Sequence, residues 1–339
     1  MKGLYLRQLW PVLASAALAV GLVACSTGSS TSSGATTATN APELTNINVG
    51  VLDDADAITA KIALDQGFFK QEGLNVHLTI MTTTNAATPA LLSHTMDFTM
   101  ENDVGMFEQE NTVPNLNLRV VADNDQGTPG LNVLMVAKNS PITSLSQLKG
   151  KKVGYPAPGF NFGAMSTDVL LQPYHMTTAD FTSVVVPFPD DPAALAKGEI
   201  DVAYTTEPFV TIMEESGARI LADTLSGSLA GFPVSCWATT EAFTQKYPKT
   251  VAAFQAAMEM ATRLAASDST LVRQELPKFI PTMSAKLASV ITLPTYNSTL
   301  SLARLERVAS TMVRVGGLPA SFTSAKVAAM VYTSSSAGS

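Results

Sequence analysis

The sequence predicts an α/β fold built as two similar lobes, with the chain crossing between them twice. Three observations carry that expectation. Alternating apolar residues give way to helical spacing and then to a second strand within residues 46–80, the pattern of a parallel crossover unit. One helix–turn–strand pattern occurs twice, about a hundred residues apart. The part of the 339-residue chain that follows a low-complexity start is long enough for two lobes, since single cores stop growing at about 250–300 residues.

Residues 1–24 read as an export signal. Lys2 and Arg7 form a short cationic start. The apolar stretch over residues 9–23 is too short to span a bilayer comfortably and ends in small residues. Leu22-Val23-Ala24-Cys25 resembles the lipobox of bacterial lipoproteins. That resemblance implies that Cys25 is thioether-linked to diacylglycerol and becomes the N-terminus after cleavage. An ordinary secretory signal with a chance cysteine, or a buried helix, are the alternatives the residues leave open. Residues 25–43 are dominated by Ser, Thr, Gly, Ala and Asn, which cannot bury a core and form a flexible tether. Cys25 and Cys236 are the only cysteines. A lipidated Cys25 therefore leaves no internal disulfide, and Cys236 reads as a small buried apolar residue. The formal net charge is −7, or −9 once Lys2 and Arg7 leave with the signal. No basic cluster exceeds Lys149, Lys151 and Lys152, so nucleic acid is not expected as a partner.

Ordered structure is expected from about Glu43. Ile47, Val49 and Val51 alternate with Asn46, Asn48 and Gly50 as a strand, and residues 75–80 form a second. Between them, Ile58, Ile62, Leu64, Phe68 and Phe69 keep helical spacing over residues 57–69, with Gly67 and Gly73 marking helix ends and turns. The repeat pairs Pro89-Ala90-Leu91-Leu92-Ser93-His94-Thr95-Met96-Asp97 with Ala193-Ala194-Leu195-Ala196-Lys197-Gly198-Glu199-Ile200-Asp201. Each copy has Ala-Leu in a short helix, a turn, an Asp at the same offset and a hydrophobic strand. The strands run into polar loops, Glu101-Asn102-Asp103 and Thr205-Thr206-Glu207-Pro208, and helices resume over 104–109 and 209–215. Residues 123–136 and 232–240, which mix Gly or Pro with a strand, are the expected crossings. Lobe 1 then comprises 44–125 and 240–339, and lobe 2 comprises 126–239. The C-terminal helices over 251–264 and 300–315 should pack back on lobe 1. The second carries Leu302, Leu305, Val308, Ala309 and Met312 on one face and stops at Gly316-Gly317.

Between the repeat units lies Pro141-Ile142-Thr143-Ser144-Leu145-Ser146-Gln147-Leu148-Lys149-Gly150-Lys151-Lys152-Val153-Gly154. It resembles the segment opening the second lobe of periplasmic binding proteins, where a short helix ending in Leu-Lys-Gly-Lys leads to a strand. Gly67-Phe68-Phe69-Lys70-Gln71-Glu72-Gly73-Leu74, the Asp97 and Asp201 repeats and Glu207-Pro208-Phe209 narrow the resemblance. Together, in order over residues 45–260, they are similar to ABC-transporter substrate-binding lipoproteins of the nitrate/sulfonate/taurine family and the related NMT1/THI5-like pyrimidine-precursor proteins. The resemblance implies a two-lobed type II periplasmic-binding-protein fold. It also implies an extracytoplasmic monomer, anchored to the membrane at Cys25, that captures a small molecule by hinge closure and delivers it to an ABC permease.

Catalytic chemistry finds little support. Ser146-Gln147-Leu148-Lys149 matches the Ser-x-x-Lys of penicillin-binding enzymes, but their other motifs are absent and a helix start before a strand explains the run. No Gly-Lys-Ser or Gly-Lys-Thr marks a P-loop, and His77, His94 and His175 are in no ligand spacing. No enzyme activity, cofactor or metal is expected. His94 occupies the turn position of Gly198, and Asp97 and Asp201 read as caps of local backbone amides.

Ligand should bind where loops leave the carboxyl ends of the strands. The loops at 53–57, 82–86, 100–103, 123–130, 155–164, 187–192 and 204–209 contain no Lys or Arg, yet carry ten Asp and Glu side chains, from Asp53 to Glu207. Tyr155, Phe160, Phe162, Tyr204 and Phe209 add aromatic walls, with Trp237 near a crossing. The candidate binding residues are Asp54, Asp56, Asn85, Glu101, Asn102, Phe160, Asn161, Phe162 and Glu207. Carboxylates with aromatic walls favour a neutral or cationic solute, flat or amine-bearing, such as a pyrimidine vitamin precursor. The family resemblance keeps open a sulfonate, taurine or nitrate anion held by helix N-termini, with Phe160-Asn161-Phe162-Gly163 opening one helix. A ligand sensor facing a membrane kinase is a further alternative. So is a pyrimidine-synthesis enzyme, which would need a reactive lysine and histidine that these loops lack.

Overall fold

A computed structural model of the chain describes residues 41–81 and 86–333. In chain order the first part holds β1 (Asn46–Val51), α1 (Ile58–Asp65), α2 (Phe68–Gln71), β2 (Asn75–Ile80), α3 (Ala87–Leu92), β3 (Phe98–Asn102), α4 (Asp103–Thr112) and β4 (Leu118–Gln126). The middle part holds β5 (Asn132–Val136), β6 (Lys152–Tyr155), α5 (Phe162–Leu171), β7 (Thr182–Val185), α6 (Asp191–Lys197), β8 (Val202–Thr206), α7 (Phe209–Glu215) and β9 (Arg219–Asp223). The last part holds β10 (Pro233–Thr240), α8 (Glu241–Lys246), α9 (Pro248–Ser267), α10 (Ser269–Phe279), α11 (Ala285–Val290), β11 (Thr295–Tyr296), α12 (Leu302–Arg314) and α13 (Ser324–Met330). Among the described residues no helix is long and apolar enough to cross a membrane.

The helical pattern over 57–69 is split in two. Gly67 sits at φ +74°, a left-handed conformation that glycine adopts without strain, and the chain turns there between α1 and α2. The strands assemble into one six-stranded sheet, ordered β11-β4-β10-β3-β1-β2, and one five-stranded sheet, ordered β7-β6-β8-β5-β9. β1 is parallel to β2 and β3, while β10 lies antiparallel between β3 and β4. In the second sheet β6 is parallel to β7 and β8, and β5 is antiparallel to β8 and β9.

This pairing corrects one expected boundary. Residues 126–239 were assigned to the second lobe, yet β10 is a central strand of the first sheet. Pro233, read as a hinge, merely opens β10, a position where a missing N–H breaks little of the ladder. The chain leaves the first sheet at Gln126, enters the second at Asn132, and returns between Asp223 and Pro233.

The repeated aspartates do the same job in each sheet. The Asp97 N–H donates to the Asn48 carbonyl, and Asp97 Oδ2 accepts from the Asn48 N–H, both at 2.8 Å. The Asp201 N–H donates to the Lys152 carbonyl (2.9 Å), and Asp201 Oδ2 accepts from the Lys152 N–H (2.8 Å). Each therefore stitches a strand entrance to the neighbouring strand across 49 residues of sequence, where capping of local amides was expected. The turns before them match too, with His94 at φ 56° and Gly198 at φ 71°.

On one face of the first sheet, α1, α2, α9 and α10 cover a core in which the Phe98 and Phe254 rings stack at 4.0 Å. Trp237 is fully buried beside them. On the other face, α12 buries Leu305, Val308, Ala309 and Met312 and packs against α4 and α13; Leu302, in its first turn, stays exposed. That second core is continuous through Leu225, Phe232 and Phe162 with Tyr155 and Leu134 of the second sheet. The two lobes also meet where the Phe160 ring, in the loop before α5, lies against Gly317, just past α12. A Cβ placed at Gly317 would fall 2.0 Å from Phe160 Cε1.

Candidate functional site

A cavity of about 430 Å³ opens between the facing ends of the two sheets. The β1–α1 loop supplies Asp53, Asp54 and Asp56. The end of β3 adds Met100 and Asn102, α4 adds Gly105 and Glu108, and the start of β10 adds Ser235. From the second sheet come Asn132, the loop from Pro156 to Gly163, Phe188, Tyr204, Thr206 and Phe209. Among the described residues that line it there is no Lys, Arg or His.

The floor is a network of buried polar groups. Asn124 accepts from Thr59 Oγ1 (2.7 Å) and Trp237 Nε1 (3.2 Å), and its amide donates to the Asp56 carbonyl (2.8 Å) and Ser235 Oγ (2.9 Å). Asp125 Oδ1 accepts from the Ser235 N–H (3.1 Å) and hydroxyl (2.7 Å). Its Oδ2 has no donor among the described protein groups, while the Asp56 carboxyl lies within hydrogen-bonding reach. Asp54 Oδ1 braces the loop by accepting from the Ala57 N–H (3.2 Å).

Burial drives the Asp54, Asp56, Asp123 and Asp125 carboxyls upward, because the charged form loses its hydration. Asp54 is held well above the usual range by burial and then by Asp56, and Asp56 by burial and then by Asp125. Burial pushes Asp125 up to about 7. Asp123 rises only to about 6, since Arg304 Nε donates to its Oδ2 at 2.7 Å. Arg304 comes from α12 below the floor and also donates to Gln126 and to the Asp125 carbonyl.

The aromatic side is built by the second sheet. Phe188 packs against Tyr204 and Phe209, with ring centroids 6.2 and 6.4 Å apart. The Tyr204 hydroxyl accepts from Asn132 Nδ2 (3.0 Å), and Asn132 Oδ1 is buried without a partner. Gly163 opens α5 so close to Tyr204 and Tyr155 that a Cβ there would lie 2.6 and 2.8 Å from their rings.

Two helices begin at the cavity. Asn102 caps α4, its Oδ1 accepting from the Val104 (3.1 Å) and Gly105 (3.4 Å) N–H groups. Asn161 caps α5, accepting from the Ala164 N–H (3.1 Å), while its amide donates to the Ala157 and Gly159 carbonyls and so shapes the loop.

Of the residues singled out in the sequence, Asp54, Asp56, Asn102, Phe160, Asn161 and Phe162 line this cavity. Glu101 does not. Neighbours on a strand face opposite sides, so with Met100 and Asn102 at the cavity Glu101 points away. It is fully buried, its Oε1 accepts from Thr99 Oγ1 (2.9 Å), and burial pushes it up to about 8. Glu207 is likewise turned aside, accepting from the Thr211 N–H (3.1 Å) and hydroxyl (2.9 Å) and from the Thr292 N–H (3.0 Å). Tyr155 and Trp237 lie in the cores. Asn85 and Cys25 lie outside the described residues. Cys236 is buried, with its sulfur 3.8 Å from that of Met106. Phe188, Asn132, Gly105, Glu108 and Ser235 line the cavity without having been singled out.

The family model described as NMT1/THI5 like matches residues 55–270. A curated protein of Escherichia coli (strain K12), named "Putative aliphatic sulfonates-binding protein", is 30% identical over 99 residues, 28% of this chain. That stretch spans only 30% of the relative's length. Among solved structures, the alkanesulfonate-binding protein SsuA from Xanthomonas axonopodis pv. citri bound to MOPS superposes with a TM-score of 0.71 at 16% identity, over 86% of this chain and 99% of that one. The periplasmic nitrate-binding protein NrtA from Synechocystis PCC 6803 gives a TM-score of 0.70 at 16% identity, over 86% and 87%. At such identities the likeness is one of fold: two α/β lobes in the periplasmic-binding-protein arrangement. The family match reaches over more than half of the sequence and takes in most of the cavity-lining segments. The chain belongs to the NMT1/THI5-like family.

Proposed function

We propose that the chain is an extracytoplasmic solute receptor that captures a small organic molecule between its lobes and delivers it to an ABC importer. The support is the cavity itself, enclosed by both sheets at the end where parallel strands release their loops. A volume of about 430 Å³ suits a molecule of metabolite size. Closing the lobes buries the ligand, and the crossings at 127–131 and 224–232 are short enough to act as a hinge. Export, and attachment of lipid to Cys25, belong to the same proposal, since tethering raises the local concentration of the receptor at its permease. Intact-mass analysis of membrane-extracted protein tests that part.

For the ligand, the carrying observation is a lining rich in carboxyls and aromatic rings that has no cationic side chain among the described residues. Such walls suit a flat or amine-bearing solute, neutral or cationic, of the kind an aminopyrimidine represents. A second reading has its own support: the N-termini of α4 and α5 both open at the cavity, and relatives are named for sulfonates and nitrate. The two separate cleanly. Calorimetric titration with an aminopyrimidine, a primary aromatic amine, taurine and an alkanesulfonate is expected to show heat with the first two. Binding of the sulfonates alone overturns the cationic reading and leaves the receptor reading standing.

A further inference from the structure

We infer that Asp56 and Asp125 form the seat for the ligand's positive charge, and that a cationic group entering it displaces a proton the two carboxyls share. The inference rests on the receptor reading and deepens its ligand class. Asp56 lines the cavity, and Asp125, wholly buried and outside the lining, has its carboxyl within hydrogen-bonding reach of Asp56. Ser235 fills Asp125 Oδ1 with two donors, which leaves Oδ2 without a donor among the described residues, while the Asp56 carboxyl lies within reach of Asp125. Two carboxyls in contact can both accept but neither can donate unless one carries a proton; ionised together at this distance they repel.

Among the described residues, the groups around the pair supply no countercharge. Asp53 and Asp54 share its loop, and Asp123 precedes it on β4. Arg304 of α12 is committed to Asp123 Oδ2, Gln126 and the Asp125 carbonyl. Arg273 of α10 donates to the Ala288 and Ile291 carbonyls. Tyr296 of β11 donates its hydroxyl proton to the Ala55 carbonyl, and Tyr204 of the second sheet accepts from Asn132. From β10 come only the Ser235 donors, and Trp237 donates to Asn124. A shared proton is what remains to hold the pair together. The raised carboxyls agree, with Asp125 near 7 and Asp56 well above its usual range, and such a pair titrates as a unit.

An ammonium or amidinium group carries both the charge and the N–H donors that the pair lacks. On binding, the O–H bond of the shared proton breaks, that proton passes to water or buffer, and the cation rests on the Asp56 carboxylate with the Asp125 carboxylate buried next to it; no other bond changes. Capture of an organic cation therefore releases up to one proton. Affinity rises with pH, by up to about tenfold per unit, while the pair is still protonated in the free protein, and flattens above its range.

The test uses the mature chain and calorimetry with benzylamine, benzamidine and a 5-aminomethylpyrimidine, each in two buffers of different ionisation enthalpy, with taurine as the anionic control. Infrared difference spectroscopy of the ligand-free protein is the second arm. The expected result is release approaching one proton per amine bound below neutral pH. Wild type minus Asp125→Asn and wild type minus Asp56→Asn difference spectra near neutrality should each contain a carboxylic-acid C=O band, over and above the bands that the other buried acids contribute to all three proteins. Amine binding without proton exchange, or the absence of that band, overturns the shared proton while leaving a cation receptor in place. Binding of taurine but of no amine overturns the cationic ligand reading along with it.

Discussion

Gly317 is the position where one added methyl group most directly opposes the contact between the two lobes. A Cβ there would lie 2.0, 2.2 and 2.6 Å from Phe160 Cε1, Cζ and Cδ1, against ordinary contacts of 3.4–4 Å. The ring must therefore retreat by more than an ångström. Gly317 itself has no left-handed φ, so the alanine backbone is unstrained and the penalty falls on the Phe160 loop. Overpacking of this kind costs about 1–3 kcal/mol. Because Phe160 also lines the cavity, most of that cost weighs on the arrangement that encloses ligand, and Gly317→Ala is expected to weaken binding by about 5- to 150-fold. Calorimetry on whichever solute the titration panel identifies measures the loss, and thermal unfolding without ligand measures what the fold itself bears. A double-mutant cycle with Phe160→Ala isolates the coupling, since removing the ring removes the clash. Unchanged affinity and melting temperature in Gly317→Ala, or losses that simply add in the cycle, would refute the reasoning.

Three further outcomes follow from the geometry. Asp97→Ala and Asp201→Ala each remove the same strand stitch and should each lower urea-unfolding stability by about 1 kcal/mol, leaving ligand affinity unchanged; a large loss in only one of them would contradict the equivalence. The buried acids Glu101, Asp103, Asp125 and Asp191 are pushed up by burial to about 8, 7, 7 and 8, so the folded chain holds protons that the unfolded chain releases above the ordinary carboxyl range. Their contribution is full at acid pH and lost as pH rises through about 7 to 8, so the melting temperature should fall from about pH 5.5 to about pH 8.5, and Glu101→Gln should flatten that slope. Phe254→Ala empties the stack against Phe98 and should cost about 3–5 kcal/mol, read by denaturant unfolding, without altering the cavity.

The periodicity and repeats made the layout of the two lobes readable because each lobe buries its own alternation. Ile47, Val49 and Val51 are all buried, and the two Asp-ended units do enter equivalent strands. The carboxyl-end rule found the loops of parallel strands but misses strands that run the other way. Asn132 and Ser235 sit at the amino ends of β5 and β10, and antiparallel pairing brings those ends opposite Thr206 and Asn102. No local feature of either residue signals that. Glu101 shows the converse, the right strand end but the wrong side, because a single residue step reverses the face of a strand. Glu207 lies one residue past β8 and is turned to the Thr211 and Thr292 N–H groups. Residues 232–240 looked like a crossing because they mix a proline with a strand, and only the β3 and β4 partners reveal that Pro233 opens a central strand.

The position of β10 also sets the order in which the molecule can be completed on the ribosome. β3 and β4 are separated by a gap that only β10 fills, and β10 is translated roughly a hundred residues after β4. At about 5–20 residues per second the wait is some 5 to 20 seconds. The second sheet has all five of its strands once β9 emerges, before β10 has been made. The half encoded first is thus finished last, and its two bare strand edges must be kept from pairing with other nascent chains until the closing strand arrives.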